Sequence, residues 1–85
     1  MKVQLLTQNP CPKCDNLKMF LKMGLGDKYK EDIEIVHLQE SPARFEKLKE
    51  DFKVQSTPVL IFEDKTLFDC TPAKAEEFLR VNLGR

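Results

Sequence analysis

Residues 3–14, Val3-Gln4-Leu5-Leu6-Thr7-Gln8-Asn9-Pro10-Cys11-Pro12-Lys13-Cys14, pass from an apolar run through a short loop to a pair of cysteines. Val3, Leu5 and Leu6 around polar Gln4 predict a strand over residues 2–7. Gln8-Asn9-Pro10 has loop composition. Pro12 suits a first helical turn, where its missing N–H costs nothing. Leu17, Phe20, Leu21 and Gly24 follow at spacings of three, four and seven and predict one apolar helix face. Gly24 and Gly26 supply the stop. The cysteines therefore sit where a strand's loop meets a helix N-terminus. Unpaired N–H groups and the positive end of the helix dipole favour a thiolate there, and the thiolate is the nucleophilic form. Lys13 adds positive charge and Asp15 opposes it. Two intervening residues let the sulfurs close a disulfide across one helical turn. Cys11, nearest the helix end, is expected to be the exposed nucleophile, and Cys14 the resolving thiol.

Further along, residues 27–32 are charged and read as solvated. Ile33–Leu38 reads as a second strand. Ser41 can cap a helix that Pro42 opens, with Phe45, Leu48 and Phe52 on its buried face. Residues 54–57 form a connector. Val59-Leu60-Ile61-Phe62 is a continuous apolar run, as in a strand buried on both faces. Glu63-Asp64-Lys65 makes a turn and Thr66-Leu67-Phe68 a short return strand. Thr71 caps a last helix opened by Pro72, with Ala75, Phe78 and Leu79 toward the core and Gly84 at its end. The order β-α-β-α-β-β-α needs a parallel pair with a right-handed crossover and ends in an antiparallel hairpin. The expected fold is α/β, a four-stranded mixed sheet with three flanking helices, in one domain spanning residues 1–85.

Composition narrows the function. The chain has 85 residues, 41% hydrophobic and 33% charged, an ordinary globular balance. Lys plus Arg and Asp plus Glu each number 14, so charge gives no case for nucleic acid or a membrane surface as partner. No signal peptide stands out at the start, and no stretch approaches the roughly 20 apolar residues of a bilayer span. A soluble, cytoplasmic monomer is expected. Three cysteines without a secretion signal do not make a structural disulfide framework. In a reducing compartment the close pair points to catalytic or metal-binding thiols.

Two features hold more than one reading. Cys11, Cys14, Cys70 and His37 together would suit a Cys₃His zinc site, and the cysteines alone an iron–sulfur cluster. Against this, the chain has no second paired motif, and a C-x-x-C after a strand, at the mouth of a helix and inside a βαβ pattern favours redox chemistry. Ser56-Thr57-Pro58 precedes the buried strand. Pro58 can simply be a strand's first residue, or the Thr57–Pro58 bond can be cis and present Thr57 backbone groups to an extended substrate.

Cys11-Pro12-Lys13-Cys14 near the start, with Thr57-Pro58 before a buried strand, resembles the glutaredoxin and thioredoxin superfamily over nearly the whole chain. The short length and the Cys-Pro-x-Cys form resemble glutaredoxins in particular. The resemblance implies a thioredoxin fold, with Pro58 as a cis-proline facing the cysteines. It implies a dithiol–disulfide oxidoreductase acting on protein or glutathione mixed disulfides, with no bound cofactor. Pro12, Lys13, Thr57, Pro58, Gln8, Cys70 and Thr71 would surround the substrate. The chain also departs from the glutathione-using pattern. Gln8 stands where a Lys or Arg is usual, Ser56-Thr57-Pro58 replaces Thr-Val-Pro, and Phe68-Asp69-Cys70-Thr71-Pro72 replaces the segment with a Gly-Gly pair. Phe68 and Asp69 would crowd and repel the tripeptide, and Pro72 removes a donor. The last helix N-terminus remains available to an anion, with Thr71 N–H and hydroxyl as donors. The reductant is therefore glutathione or a thioredoxin reductase. The second option resembles the glutaredoxin-like electron donors of ribonucleotide reductase, whose tryptophan-bearing segment is absent because the chain has no Trp. Cys70 falls where some glutaredoxins carry an extra thiol. It reads either as a modulator of the pair or as a small buried side chain.

Overall fold

The computed structural model describes residues 2–84; Met1 and Arg85, the ends of the expected domain, lie outside them. Strand β1 is Val3–Thr7, and helix α1, Pro12–Met19, runs on into a π-helical turn, Phe20–Gly24. A 3₁₀ turn, Lys30–Asp32, leads into β2, Ile33–His37. Helix α2 is Pro42–Asp51, β3 is Val59–Phe62, β4 is Lys65–Leu67 and α3 is Pro72–Leu83. The four strands lie in the order β2-β1-β3-β4. β1 pairs with β2 in parallel, Thr7 opposite His37, and with β3 antiparallel, Leu5 opposite Leu60. β3 and β4 form the antiparallel hairpin. This is the expected mixed sheet with three helices.

Strand alternation divides the core in two. On one face Val3, Leu5 and Leu60 pack with Leu17 of α1 and with Ala75 and Leu79 of α3. On the other, Leu6, Val36, Val59 and Ile61 pack with Phe45 of α2. β1 and β3 are central strands covered on both faces, which is why Val59–Ile61 is continuously apolar and buried.

Several expectations change. Gly24 is exposed rather than part of the apolar face, and a Cβ there would come within 2.6 Å of the Phe20 ring, which lies across it. The charged stretch 27–32 is not wholly solvated, since Tyr29 is buried in the α1–α3 core. Val54, read as connector, joins the α2 core. The hairpin turn is Glu63-Asp64, with Glu63 at φ 57, so β4 starts one residue early at Lys65 and leaves Phe68 exposed. β2 ends at His37, because the chain turns toward α2 by Glu40 and Ser41 N–H bonds to the His37 carbonyl. Ser41 and Thr71 occupy N-cap positions, but their side chains make no capping hydrogen bond. Among the described residues no helix is long and apolar enough to cross a membrane.

Candidate active site

β1 delivers the chain to the loop 8–10, and α1 starts immediately after it. Cys11 is the N-cap of α1, in extended conformation (φ −154°, ψ 90°). Its Sγ accepts the Cys14 N–H at 3.1 Å, and its carbonyl accepts the Asp15 N–H at 3.0 Å. A sulfur is thus the acceptor for one of the donors that a helix start leaves unpaired, the arrangement that stabilises negative charge on it. Cys11 and Cys14 are joined as a disulfide, with Cα atoms 5.2 Å apart.

The connector before β3 meets this sulfur from the neighbouring strand, because antiparallel pairing sets the start of β3 beside the end of β1. Thr57 Oγ1 lies 3.4 Å and the Thr57 carbonyl oxygen 3.8 Å from Cys11 Sγ. A disulfide sulfur carries no proton, so the Thr57 hydroxyl is the donor and the carbonyl approach is a contact only. The Thr57–Pro58 peptide is cis, and Pro58 is buried. Cys11 is 7% exposed and Cys14 1%. Cys11, expected to be exposed, is therefore the less buried residue of the pair but is itself buried in the disulfide form.

A groove of ≈ 290 Å³ opens beside the pair, lined among others by Lys13, Ser56, Thr57, Pro58, Cys70 and Thr71. Lys13 stands at its α1 side, whereas Pro12 is exposed and lies outside its lining. The other wall differs from expectation. Thr71 N–H, a candidate anion donor, bonds the Asp69 carbonyl at 3.0 Å. Pro72 has no N–H. The Asp69 carboxylate pairs with Lys74 at 2.8 Å, and that hydrogen bond holds it below the usual carboxylate range. Its charge is therefore partly answered. Cys70 Sγ donates to the Leu67 carbonyl at 3.2 Å. Burial pushes its thiol up to about 11, a backbone hydrogen bond with Leu60 opposing the shift and the Asp69 charge adding to it. Gln8 is half-buried beyond the Thr57 ridge, in a smaller recess with Lys49 and Gln55.

The alternative metal set does not assemble. Among the described residues no three His, Cys, Asp or Glu side chains converge on a metal position. His37, the candidate fourth ligand, is instead a buried, hydrogen-bonded side chain, 8% exposed, whose Nδ1 accepts the Gln39 N–H at 3.2 Å. Two features near the site escaped sequence reading: a second cis peptide at Asn9–Pro10, and a pair of hydrogen bonds from the Gln39 side chain to Asn9. Nothing local marks Gln39. Extending the β1–β2 register beyond Thr7 and His37 would have set it opposite Asn9.

No family model matches the chain, and no curated protein matches it. Solved structures do. The thioredoxin-like protein BC3987 superposes with a TM-score of 0.72 at 24% identity, over 92% of this chain and 100% of its own. A point mutant of that protein gives 0.72 at 23% identity, over 92% and 99%. A thioredoxin-fold protein from Helicobacter pylori gives 0.71 at 20% identity, over 98% of this chain and 69% of its own. The fold is thioredoxin-like, and on it Cys11 and Cys14 are joined as a disulfide at the start of α1.

Proposed function

We propose that the protein is a dithiol–disulfide oxidoreductase. The observation that carries this reading is Cys11 Sγ itself, bonded to Cys14, accepting a helix N-terminal N–H and lying against Thr57 beside an open groove. In the reduced protein the Cys11 thiolate attacks one sulfur of a substrate disulfide. The Cys11–substrate bond forms, the substrate S–S bond breaks, and one substrate thiolate leaves and takes a proton from water. Cys14, deprotonated, then attacks Cys11 Sγ and expels the second substrate thiolate. Two electrons pass to the substrate and the Cys11–Cys14 disulfide is left, to be reduced by an external thiol or reductase. Substrates are protein or glutathione mixed disulfides, in a cytoplasmic setting. Lys13, Thr57 and Pro58 border the substrate path, and Gln8, in its separate recess, lies outside it. Thr57 backbone groups pair with an extended segment.

A second reading concerns the electron source. Thr71 N–H is committed to Asp69 and Pro72 lacks one, so the α3 end of the groove offers fewer donors to a glutathione carboxylate. That favours a thioredoxin reductase as electron source, as for an electron donor to ribonucleotide reductase.

NADPH-coupled reduction of a mixed disulfide, run separately with glutathione plus its reductase and with thioredoxin reductase, tests both readings. Turnover with either supports the oxidoreductase, and the productive arm identifies the reductant. Cys11→Ser is expected to abolish turnover and Cys14→Ser to accumulate a mixed disulfide visible by mass spectrometry. Full activity of Cys11→Ser would refute the assignment.

A further inference from the structure

We infer that Gln39 is a positioning residue for Cys11, an inference that rests on the redox reading above. The parallel β1–β2 ladder ends with the Leu38 N–H on the Thr7 carbonyl at 3.0 Å. Two residues further the register sets Asn9 opposite Gln39, but the chain has by then turned toward α2. The Gln39 side chain completes the pairing. A primary amide carries the donor and acceptor of a peptide group. Its Oε1 accepts the Asn9 N–H at 3.2 Å, and its Nε2 donates to the Asn9 carbonyl at 3.0 Å. Gln39 is itself held, its N–H donating to His37 Nδ1 at 3.2 Å within the turn that starts α2.

Both polar groups of the Asn9 backbone are thus bound by one side chain 30 residues away in sequence. Pro10 has no N–H to offer, so Asn9 carries the remaining backbone donor between Gln8 and Cys11. Fixing Asn9 fixes the direction in which the chain enters Cys11. That keeps Sγ at once on the Cys14 N–H and beneath Thr57. Released from Gln39, the loop spends part of its time with Sγ away from these donors. The thiolate loses stabilisation in that fraction, although Gln39 never touches the sulfur.

The test uses the full chain with Cys14→Ser and Cys70→Ser, so that Cys11 is the one remaining thiol. Ultraviolet thiolate absorbance gives the Cys11 titration midpoint, and a small aromatic disulfide gives its rate of attack. Adding Gln39→Ala is expected to move the midpoint upward and slow attack about fivefold, the scale of losing exposed hydrogen bonds worth about 1 kcal/mol. Gln39→Glu should shift both in the same direction, because a carboxylate cannot donate to the Asn9 carbonyl. Glu40→Ala, next to the clamp, should change neither. An unmoved midpoint in Gln39→Ala overturns the inference, and a lower thermal midpoint alone would make Gln39 structural. The readings fail separately. A wild-type protein that exchanges no disulfides while Gln39→Ala still shifts Cys11 removes the function and keeps the positioning. Normal exchange with an unshifted Cys11 does the reverse.

Discussion

The thiols of this chain differ in what surrounds each sulfur. Cys11 has a helix N–H and a hydroxyl directed at it, whereas Cys70 is partly buried and donates to a strand carbonyl. Burial raises the Cys70 thiol from 9.0 to about 11. A raised acid contributes stability that is complete below its unfolded value and is lost as pH rises through the folded one. Cys70 therefore stays protonated from neutral to mildly alkaline pH, and a thiol attacks far more slowly than a thiolate. In reduced native protein, iodoacetamide followed by mass spectrometry is expected to label Cys11 well before Cys70, with Cys70 becoming reactive on unfolding. Equal native rates would remove the distinction. The pairing of Cys11 with Cys14 at a helix start was legible because spacing and a helix start are local features. The choice between two readings of Cys70 was not, since its burial comes from packing against the core between the sheet, α1 and α3.

Among elements, α2 is tied to the edge strand by a two-pronged pair. Arg44 Nη1 and Nη2 donate to Glu34 Oε2 and Oε1, each at 2.6 Å. That hydrogen bonding holds Glu34 below the usual carboxylate range and raises Arg44. A lowered carboxylate contributes stability that is present above its unfolded value and fades as pH falls through the folded one. Both side chains are substantially exposed, so the contribution is small. Arg44→Ala is expected to cost up to about 1 kcal/mol at neutral pH and low salt, and less in acid or high salt. Urea unfolding at two pH values measures this, and an equal cost at both would contradict the linkage. No short-range pattern announces the pair, because it joins a strand to the helix that follows the turn. Helix starts at Pro12, Pro42 and Pro72 were readable from the prolines. The end of β2 was not, because the turn bonds to the His37 carbonyl stop it.

For the molecule as a whole, two separate cores back the sheet. Leu79 of α3 is fully buried in the one shared with α1. Leu79→Ala is expected to cost about 2–5 kcal/mol, a large share of the roughly 5–15 kcal/mol of a small domain. Thermal or urea unfolding measures it, and a loss below about 1 kcal/mol would contradict close packing there. The sequence by itself determined the order of elements, the two-sided burial of Val59–Ile61 and the pairing of Cys11 with Cys14, all of which follow from periodicity or spacing within a few residues. Only the tertiary structure decided that the Thr57 hydroxyl is the group that reaches Cys11 Sγ, that Gln39 holds Asn9 and that Tyr29 and Val54 enter the cores. The physical reason is that side-chain alternation says which face a residue joins, whereas strand order and register say what it meets there.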